Sequence, residues 1–352
     1  MDKIKIGIVG IGNCASALIQ GIESYRSPNK GGLLRPNLAG YHISDIQVVA
    51  AVDISENKVG KGIPESIKAN ELDVVVEFDK DFNVIVVMGK ILDGVINETE
   101  KDIKPSNETP IDIAKYFEST GVEIVLCLLP SGADNAVKFY ANEAIKARCA
   151  FINATPTSIA TDKEIAKKFQ DANLPLIGDD LQDQFGATIL HKMILQQMLN
   201  RGIDIKESYA LDVGVGTESL NTIFRARETK RKIKSMSVAR TLNIDAPIVA
   251  GTSDWVEFLG NKRSSMLWIV GKGFLGSEII VDIKIQTEDG PNGGSVLADV
   301  IRATKIAMNQ NVAGTIDEIS AYGFKKPPKS PKDPDEASKN LANFILGIRN
   351  EV

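Results

Sequence analysis

The sequence predicts a mixed α/β chain: a doubly wound parallel sheet joined to a second α+β domain that contains an antiparallel sheet. Three observations predict it. Short apolar runs rich in β-branched residues recur through the first half of the chain between helical or polar stretches, as strands buried on both faces of a parallel sheet require. The first run enters a glycine-rich turn, Gly10-Ile11-Gly12-Asn13-Cys14-Ala15, that opens a helical pattern. Beyond about residue 190 the hydrophobic period changes to two.

Taken in order, "IKIGIVG" is the first strand, and Ala15, Leu18, Ile19 and Ile22 then form the core stripe of a helix. A Pro/Gly-rich excursion, "SYRSPNKGGLLRPNLAGYHISD", precedes the strand "IQVVAAVDIS", which ends in Asp53. Strands at "VDVVVEF", "VIVVMG", "EIVLCLLP", "AFINATP" and "PLIGDD" alternate with segments such as "ADNAVKFYANEAIKARC" and "DKEIAKKFQDAN", the βαβ pattern of a Rossmann-type sheet. Downstream, "SEIIVDIKIQTE" puts Ile279, Val281, Ile283 and Ile285 on one face and Glu278, Asp282, Lys284 and Gln286 on the other. With "SMLWIVG" before it and "KGFLGS" between, it forms a hairpin. Two helices follow, "SVLADVIRATKIAMNQ" capped by Ser295 and "DEASKNLANFILGIRN", separated by the loop "KKPPKSPKDPD". The length of 352 residues fits two domains, one of residues 1–195 with 296–352 and one of 196–295.

Forty-one basic residues against 46 acidic ones give a net charge of -5, which argues against a general nucleic-acid or membrane-surface binder. Cys14, Cys127 and Cys149 show no CxxC spacing, so neither a disulfide framework nor a thiolate metal site is indicated. No apolar run reaches the roughly 18 residues of a membrane span, and the N-terminus shows no signal pattern. A soluble protein of the reducing cytoplasm is expected.

The turn is a GxGxxA pattern. Gly10 and Gly12 let the backbone turn tightly and approach a pyrophosphate, Asn13 and Cys14 open the helix N-terminus, and Ala15 permits close packing. Asp53 is expected to accept ribose hydroxyls, which favours NAD over NADP. Strand ends at "LLPSG", with Pro130, and "NATP", with Asn153 and Thr155, are candidate cofactor-lining turns. Asp179 and Asp180 in "LIGDDLQDQFGATILHK" either hold a cation or a cofactor amide, or cap the following helix. His42 and His191 are the only histidines, and His191 reads as a helix-packing residue, so acid/base work falls to other groups.

In "FRARETKRKIKSMSV", Arg225, Arg227, Lys230, Arg231, Lys232 and Lys234 stand against one acid, Glu228. Lys230 and Lys234 share a helix face, where like charges repel unless an anion sits between them. The stretch is either a solvated basic face or a phosphate site with a lysine whose pKa its neighbours depress.

Several segments together, "VGIGNCASALIQGIE", "AAVDISENKVG", "LLPSGADNAVKFYANEAI", "FINATPTSIA", "LIGDDLQDQFGATILHK", "EDGPNGGSVLADVIRATKIA" and "SAYGFKKPP", resemble the inositol-1-phosphate synthases, in particular their shorter bacterial and archaeal branch. The resemblance implies bound NAD and glucose 6-phosphate as substrate, and leaves open whether a divalent or monovalent cation is needed as well. It implies oxidation at C5, enolisation, intramolecular aldol closure and reduction to 1L-myo-inositol 1-phosphate. It assigns catalysis and oligomerisation to residues 196–295 and implies a homo-oligomer, a tetramer. By the same resemblance the catalytic residues are Lys230, Lys234 and Lys325, a third family lysine at Lys262 with Asp254 competing, Glu218 where the family has aspartate, and Asp289 before "PN". Gly214-Val215-Gly216-Thr217-Glu218 departs from the family's "GGN.D", and Gln182 and Asp183 replace a lysine and a serine. These departures leave open a related NAD-dependent cyclase or lyase of another phosphorylated sugar. A non-catalytic NAD-binding regulator is the rival of a different class, and the retained lysines argue against it.

Overall fold

The computed structural model describes residues 2–27, 31–79, 82–93, 95, 103–214 and 216–347. β1 (Ile4–Val9) leads through the glycine turn into α1 (Asn13–Ser24), and a short hairpin of β2 (Asn37–Leu38) and β3 (Tyr41–His42) precedes β4 (Ile46–Asp53). Then follow α2 (Ile63–Ser66), β5 (Val86–Met88), α3 (Ile113–Thr120), β6 (Ile124–Cys127), α4 (Asp134–Lys146), β7 (Ala150–Asn153), α5 (Lys163–Asp171), β8 (Pro175–Ile177) and α6 (Ala187–Asn200). The next stretch holds β9 (Asp204–Gly214), α7 (Gly216–Asn221), α8 (Arg227–Leu242), β10 (Ile248–Trp255), β11 (Lys262–Lys272) and β12 (Glu278–Glu288). The chain returns through α9 (Asp289–Asn309), β13 (Gly314–Thr315), α10 (Asp317–Gly323) and α11 (Pro334–Ile345).

The larger sheet runs β13-β8-β7-β6-β1-β4-β5 with every pair parallel. The strand order reverses between β1 and β6, so a crevice opens outside their carboxyl ends, where ligands bind in open parallel sheets. Two apolar cores flank the sheet, one holding Ile6, Ile8, Leu18 and Leu297, the other Val52, Phe117, Val137 and Phe151. The expected strand "VDVVVEF" does not form. Its backbone is tied to α1 instead: Val75 N–H donates to the Gln20 side chain (2.8 Å), whose amide donates to the Asp73 carbonyl (3.1 Å), and Val75 is 84% exposed. β5 takes the sheet edge beside β4 in its place.

α9 begins at Asp289, earlier than the expected cap at Ser295, and runs through Gly-Pro-Asn-Gly-Gly. Glycines weaken a helix by about 1 kcal/mol each, and here close approach to α1 calls for them. A Cβ at Gly290 would lie 3.0 Å from the Asn13 carbonyl oxygen, and one at Gly294 3.2 Å from the Leu18 nitrogen. The glycine turn and the start of α9 are thereby locked together.

The second sheet runs β10-β9-β11-β12. Its β11–β12 hairpin is antiparallel from Lys262↔Glu288 to Lys272↔Glu278, as the alternation predicts. It is a mixed sheet rather than a purely antiparallel one, because β10 pairs with β9 in parallel through the α8 crossover. α6 and α8 cover one face with Leu195, Met198, Val238 and Leu242. Among the described residues no helix is long and apolar enough to cross a membrane.

Candidate active site

A cavity of about 490 Å³ runs from the glycine turn across the switch point to α8 and the start of α9. Gly10 has φ 91°, and an added Cβ would stand 2.8 Å from the Leu128 carbonyl oxygen, so the turn requires glycine. A Cβ at Gly12 would meet nothing within 4 Å, leaving open space before α1. Tight turn, open second glycine and buried Ala15 together fit a dinucleotide pyrophosphate. Asn13 lines the cavity with its amide donating to Glu71 (2.5 Å) while its side-chain oxygen accepts from Leu72 N–H (3.1 Å). Burial, with Asp183 and Asp289 nearby, pushes the Cys14 thiol up to about 12, so it is an inert packing group.

Pro130, Thr155, Asp53 and Asp180 line the cavity; Asn153 and Asp179 do not. Asp179 is wholly buried and accepts from Asn153 (2.7 Å), from the backbone of Ile159, Ala160 and Thr161, and from the Thr161 hydroxyl (2.8 Å). Burial raises its carboxyl despite those donors. The expected cofactor contacts at Asn153 and Asp179 are therefore corrected: both brace the turn behind the site. Asp180 faces the cavity, and its Oδ2 is buried without a hydrogen-bond partner among the described residues.

The basic stretch splits between water and the cavity. Arg227, Arg231 and Lys232 are exposed, while Lys230 and Lys234, one turn apart on α8, point inward and line the cavity. The anions between them are the protein's own. Lys230 Nζ donates to Asp180 (2.9 Å) and lies 3.5 Å from Glu218, and Lys234 donates to Asp212. Asp212 also accepts from the Ser265 hydroxyl (2.6 Å) and lies 3.7 Å from Arg263, which grips Asp289 at 2.8 and 3.0 Å through Nε.

The two lysines are tuned apart. Burial works against the charge of Lys230, but Asp180 and Glu218 more than reverse it, so its pKa lies above the ordinary lysine value. For Lys234 burial, reinforced by Arg263 and Lys325, outweighs Asp212, and its pKa lies below that value. One lysine held above the ordinary value beside another held below it is an arrangement that can divide acid and base roles. Lys325 approaches from the far end of the chain and donates to the Leu181 carbonyl (2.6 Å), with no carboxylate partner among the described residues.

Glu218 is bound across the cleft. Ser131 donates to it through its N–H (2.8 Å) and hydroxyl (2.5 Å), and the Thr222 hydroxyl adds a third bond (3.3 Å). It thereby joins α7 to the turn after β6 and helps to hold Lys230.

Lys262 is not part of this cluster. It is exposed at the start of β11, and Arg263, the next residue, supplies the third cation from the opposite face of the strand. Asp254 is exposed as well and accepts only from the N–H of Trp255 among its described bonds. Sequence reasoning missed Arg263, Asp212 and Lys58. Asp212 carried a signal, since it falls in register with Ser208 and Ala210 on the buried face of β9. His191 is a packing residue as expected: buried, it meets the Ser208 hydroxyl at 2.6 Å, and burial lowers its pKa to about 4. Gln182 accepts from buried Lys192 (3.4 Å), and Asp183 lines the cavity. The departure at Val215 lies outside the described residues. Among those described, no group of three or more His, Cys, Asp or Glu side chains could hold a metal ion.

Fold and site define a Rossmann-type protein whose glycine-turn cleft opens into a chamber of paired lysines and carboxylates. Comparison with known proteins narrows this class. The family model described as myo-inositol-1-phosphate synthase matches residues 186–290. The inositol-3-phosphate synthase of Mycolicibacterium smegmatis is 36% identical over 98% of both chains, and that of Corynebacterium glutamicum is 34% identical over 98% of this chain and 99% of its own. The crystal structure of a myo-inositol-1-phosphate synthase-related protein from Thermotoga maritima superposes with a TM-score of 0.83, covering 99% of this chain and all of that one at 21% identity. The chain belongs to the inositol-3-phosphate synthase family.

Proposed function

We propose that this protein converts D-glucose 6-phosphate to 1L-myo-inositol 1-phosphate in a redox-neutral cycle with NAD. The carrying observation is that Lys230 and Lys234, set to opposite sides of the ordinary lysine pKa, share one cavity with the glycine turn. Gly10, Gly12 and the N-terminus of α1 would hold the pyrophosphate, with Asp53 at the ribose end. NAD held there would supply a reversible hydride acceptor for the sugar carbon. The neutral amine of Lys234 removes the proton from the carbon beside the new ketone. Lys230, kept cationic by Asp180 and Glu218, stabilises the enolate oxygen. Arg263 and Lys325 supply charge for the phosphate. Ring closure then needs the sugar chain folded on itself, which a cavity lined by both the glycine turn and α8 allows. It also needs a proton for the new alkoxide, which the Lys234 ammonium formed in the enolisation can return.

The same reading divides the chain into a dinucleotide domain, residues 1–195 with 296–352, and a catalytic and oligomerisation domain, 196–295. A homotetramer is part of it, supported by Tyr209, Leu211, Met266 and Ile280, which are exposed on the outer face of the second sheet among charged residues such as Asp282 and Lys284. Incubation with glucose 6-phosphate and NAD, with phosphorus NMR of the product and nicotinamide absorbance followed together, tests the reading. Inositol phosphate should exceed the bound cofactor with no matching NADH. Stoichiometric NADH, or no inositol phosphate, overturns it.

A further inference from the structure

The carboxylate at the ribose end of the cleft is already surrounded. Asp53 Oδ1 accepts from the N–H groups of Ile54 (2.7 Å) and Ser55 (3.0 Å), and Oδ2 accepts from Ile11 N–H (2.8 Å) with the Lys58 ammonium 3.8 Å away. An ionised carboxylate offers about four acceptor positions. Three are taken by backbone groups that the chain fixes in place, which leaves one for a ligand. The Lys58 ammonium, an ion-pair partner at 3.8 Å and not a hydrogen-bond donor to this carboxylate, is the partner that can move. It donates to the Ile11 carbonyl (2.8 Å), which the Asn70 amide reaches independently at 3.1 Å, so that carbonyl stays bonded when Lys58 swings away. The Lys58 side chain is 14% exposed and lines the same cavity.

We propose that Lys58 is a specificity-determining residue at the nucleotide end of the cleft, narrowing the preference for NAD over NADP. This rests on the dinucleotide reading of that cleft. A bare aspartate accepts ribose hydroxyls and repels a 2′-phosphate, whereas a nearby cation is the feature that accommodates one. Here both stand on one carboxylate: the ammonium cancels part of the repulsion and offers a counter-charge on a flexible stem. Asp53 still favours free hydroxyls, and Lys58 sets how strongly.

Dissociation constants for NAD and NADP, measured by calorimetry on the full chain, test the assignment. The wild type should prefer NAD by no more than about tenfold, and Lys58→Met should widen that preference by about tenfold or more through loss of NADP affinity. Lys58→Arg, which keeps the charge, should hold the wild-type ratio, and Lys58→Gln replaces the methionine variant should that one fail to fold. A ratio unmoved by Lys58→Met, or a far wider wild-type preference, overturns the role of Lys58 while NAD binding still stands. Binding of neither dinucleotide overturns the reading of the cleft and this proposal with it.

Discussion

Asp180 holds the Lys230 ammonium at 2.9 Å through Oδ1 while its Oδ2, also buried, has no hydrogen-bond partner among the described residues. Burial alone would raise this carboxyl; Lys230 and Lys325 reverse that and hold it below the usual range. An ionised acceptor facing the cavity is matched to a hydroxyl or amide that arrives with a ligand, because a buried lone acceptor otherwise costs stability. The lysines are thus bound to structure and to chemistry at once.

Lys230→Ala should therefore lose both rate and stability. The rate should fall on the order of 100-fold or more. Leaving Asp180 buried and uncompensated should cost about 3–5 kcal/mol. The double variant Lys230→Met, Asp180→Asn should recover most of the melting temperature and none of the activity, since replacing a whole buried pair by neutral groups is often close to neutral for stability. Thermal melts beside the cyclisation assay separate the two effects, and an unchanged melting temperature for Lys230→Ala would count against the pairing.

Lys325 should behave differently. Its ammonium is bonded to a backbone carbonyl and not to a carboxylate, and Asp180, which it helps to keep ionised, stays paired with Lys230, so Lys325→Ala leaves no buried charge unpaired. The expected outcome is a loss of about 100-fold in rate with a melting temperature within a few degrees of wild type. Unfolding of this variant would show that its bond to Leu181 is structural.

The pH dependence of turnover should report Lys234. With its pKa held below the ordinary lysine value, the neutral amine that takes the proton becomes available as pH rises, so kcat/KM climbs through a midpoint below that value. Asp212→Asn removes the carboxylate that favours the ammonium and moves the rise to lower pH. Arg263→Gln removes a cation that opposes it and moves the rise to higher pH. Profiles of both variants displaced in the same direction would exclude Lys234 as the base.

The parts of the fold that were legible from sequence are those whose cause is local. The glycine turn, the stripe of Ala15, Leu18, Ile19 and Ile22, and the alternation of β12 each carry their signal within a few residues, and each stands where it was expected. "VDVVVEF" carried a strand signal equally strong, yet strand pairing is decided by which segment takes the edge of β4, and β5 takes it. The third cation was misplaced by one position, from Arg263 to Lys262, because a strand's face alternates residue by residue and the register of β11 is set by distant partners in β9 and β12. Lys230 and Lys234 were found by spacing on one helix. Their partners Asp180 and Asp212 lie 50 and 22 residues away in sequence, and only the packed structure joins them.

A final consequence concerns Lys192, an amine that the proposed reaction does not use. It lies on α6, 5% exposed, with its Nζ donating to Gln182 at 3.4 Å, and burial together with neighbouring Lys325 lowers its pKa from 10.5 to about 8. The unfolded chain therefore binds more protons than the native state between pH 8 and 10.5, so stability rises with pH across that window. Below it the buried ammonium costs on the order of 1–3 kcal/mol. Lys192→Met fills the same space without that charge and should raise the melting temperature at pH 7 by a few degrees. The gain should shrink as the pH approaches 10, where the wild-type amine is already neutral. Melting curves of both proteins at pH 7 and pH 10 decide the matter: a lower melting temperature for the methionine variant at pH 7 would mean that the bond to Gln182 outweighs the desolvation of the ammonium.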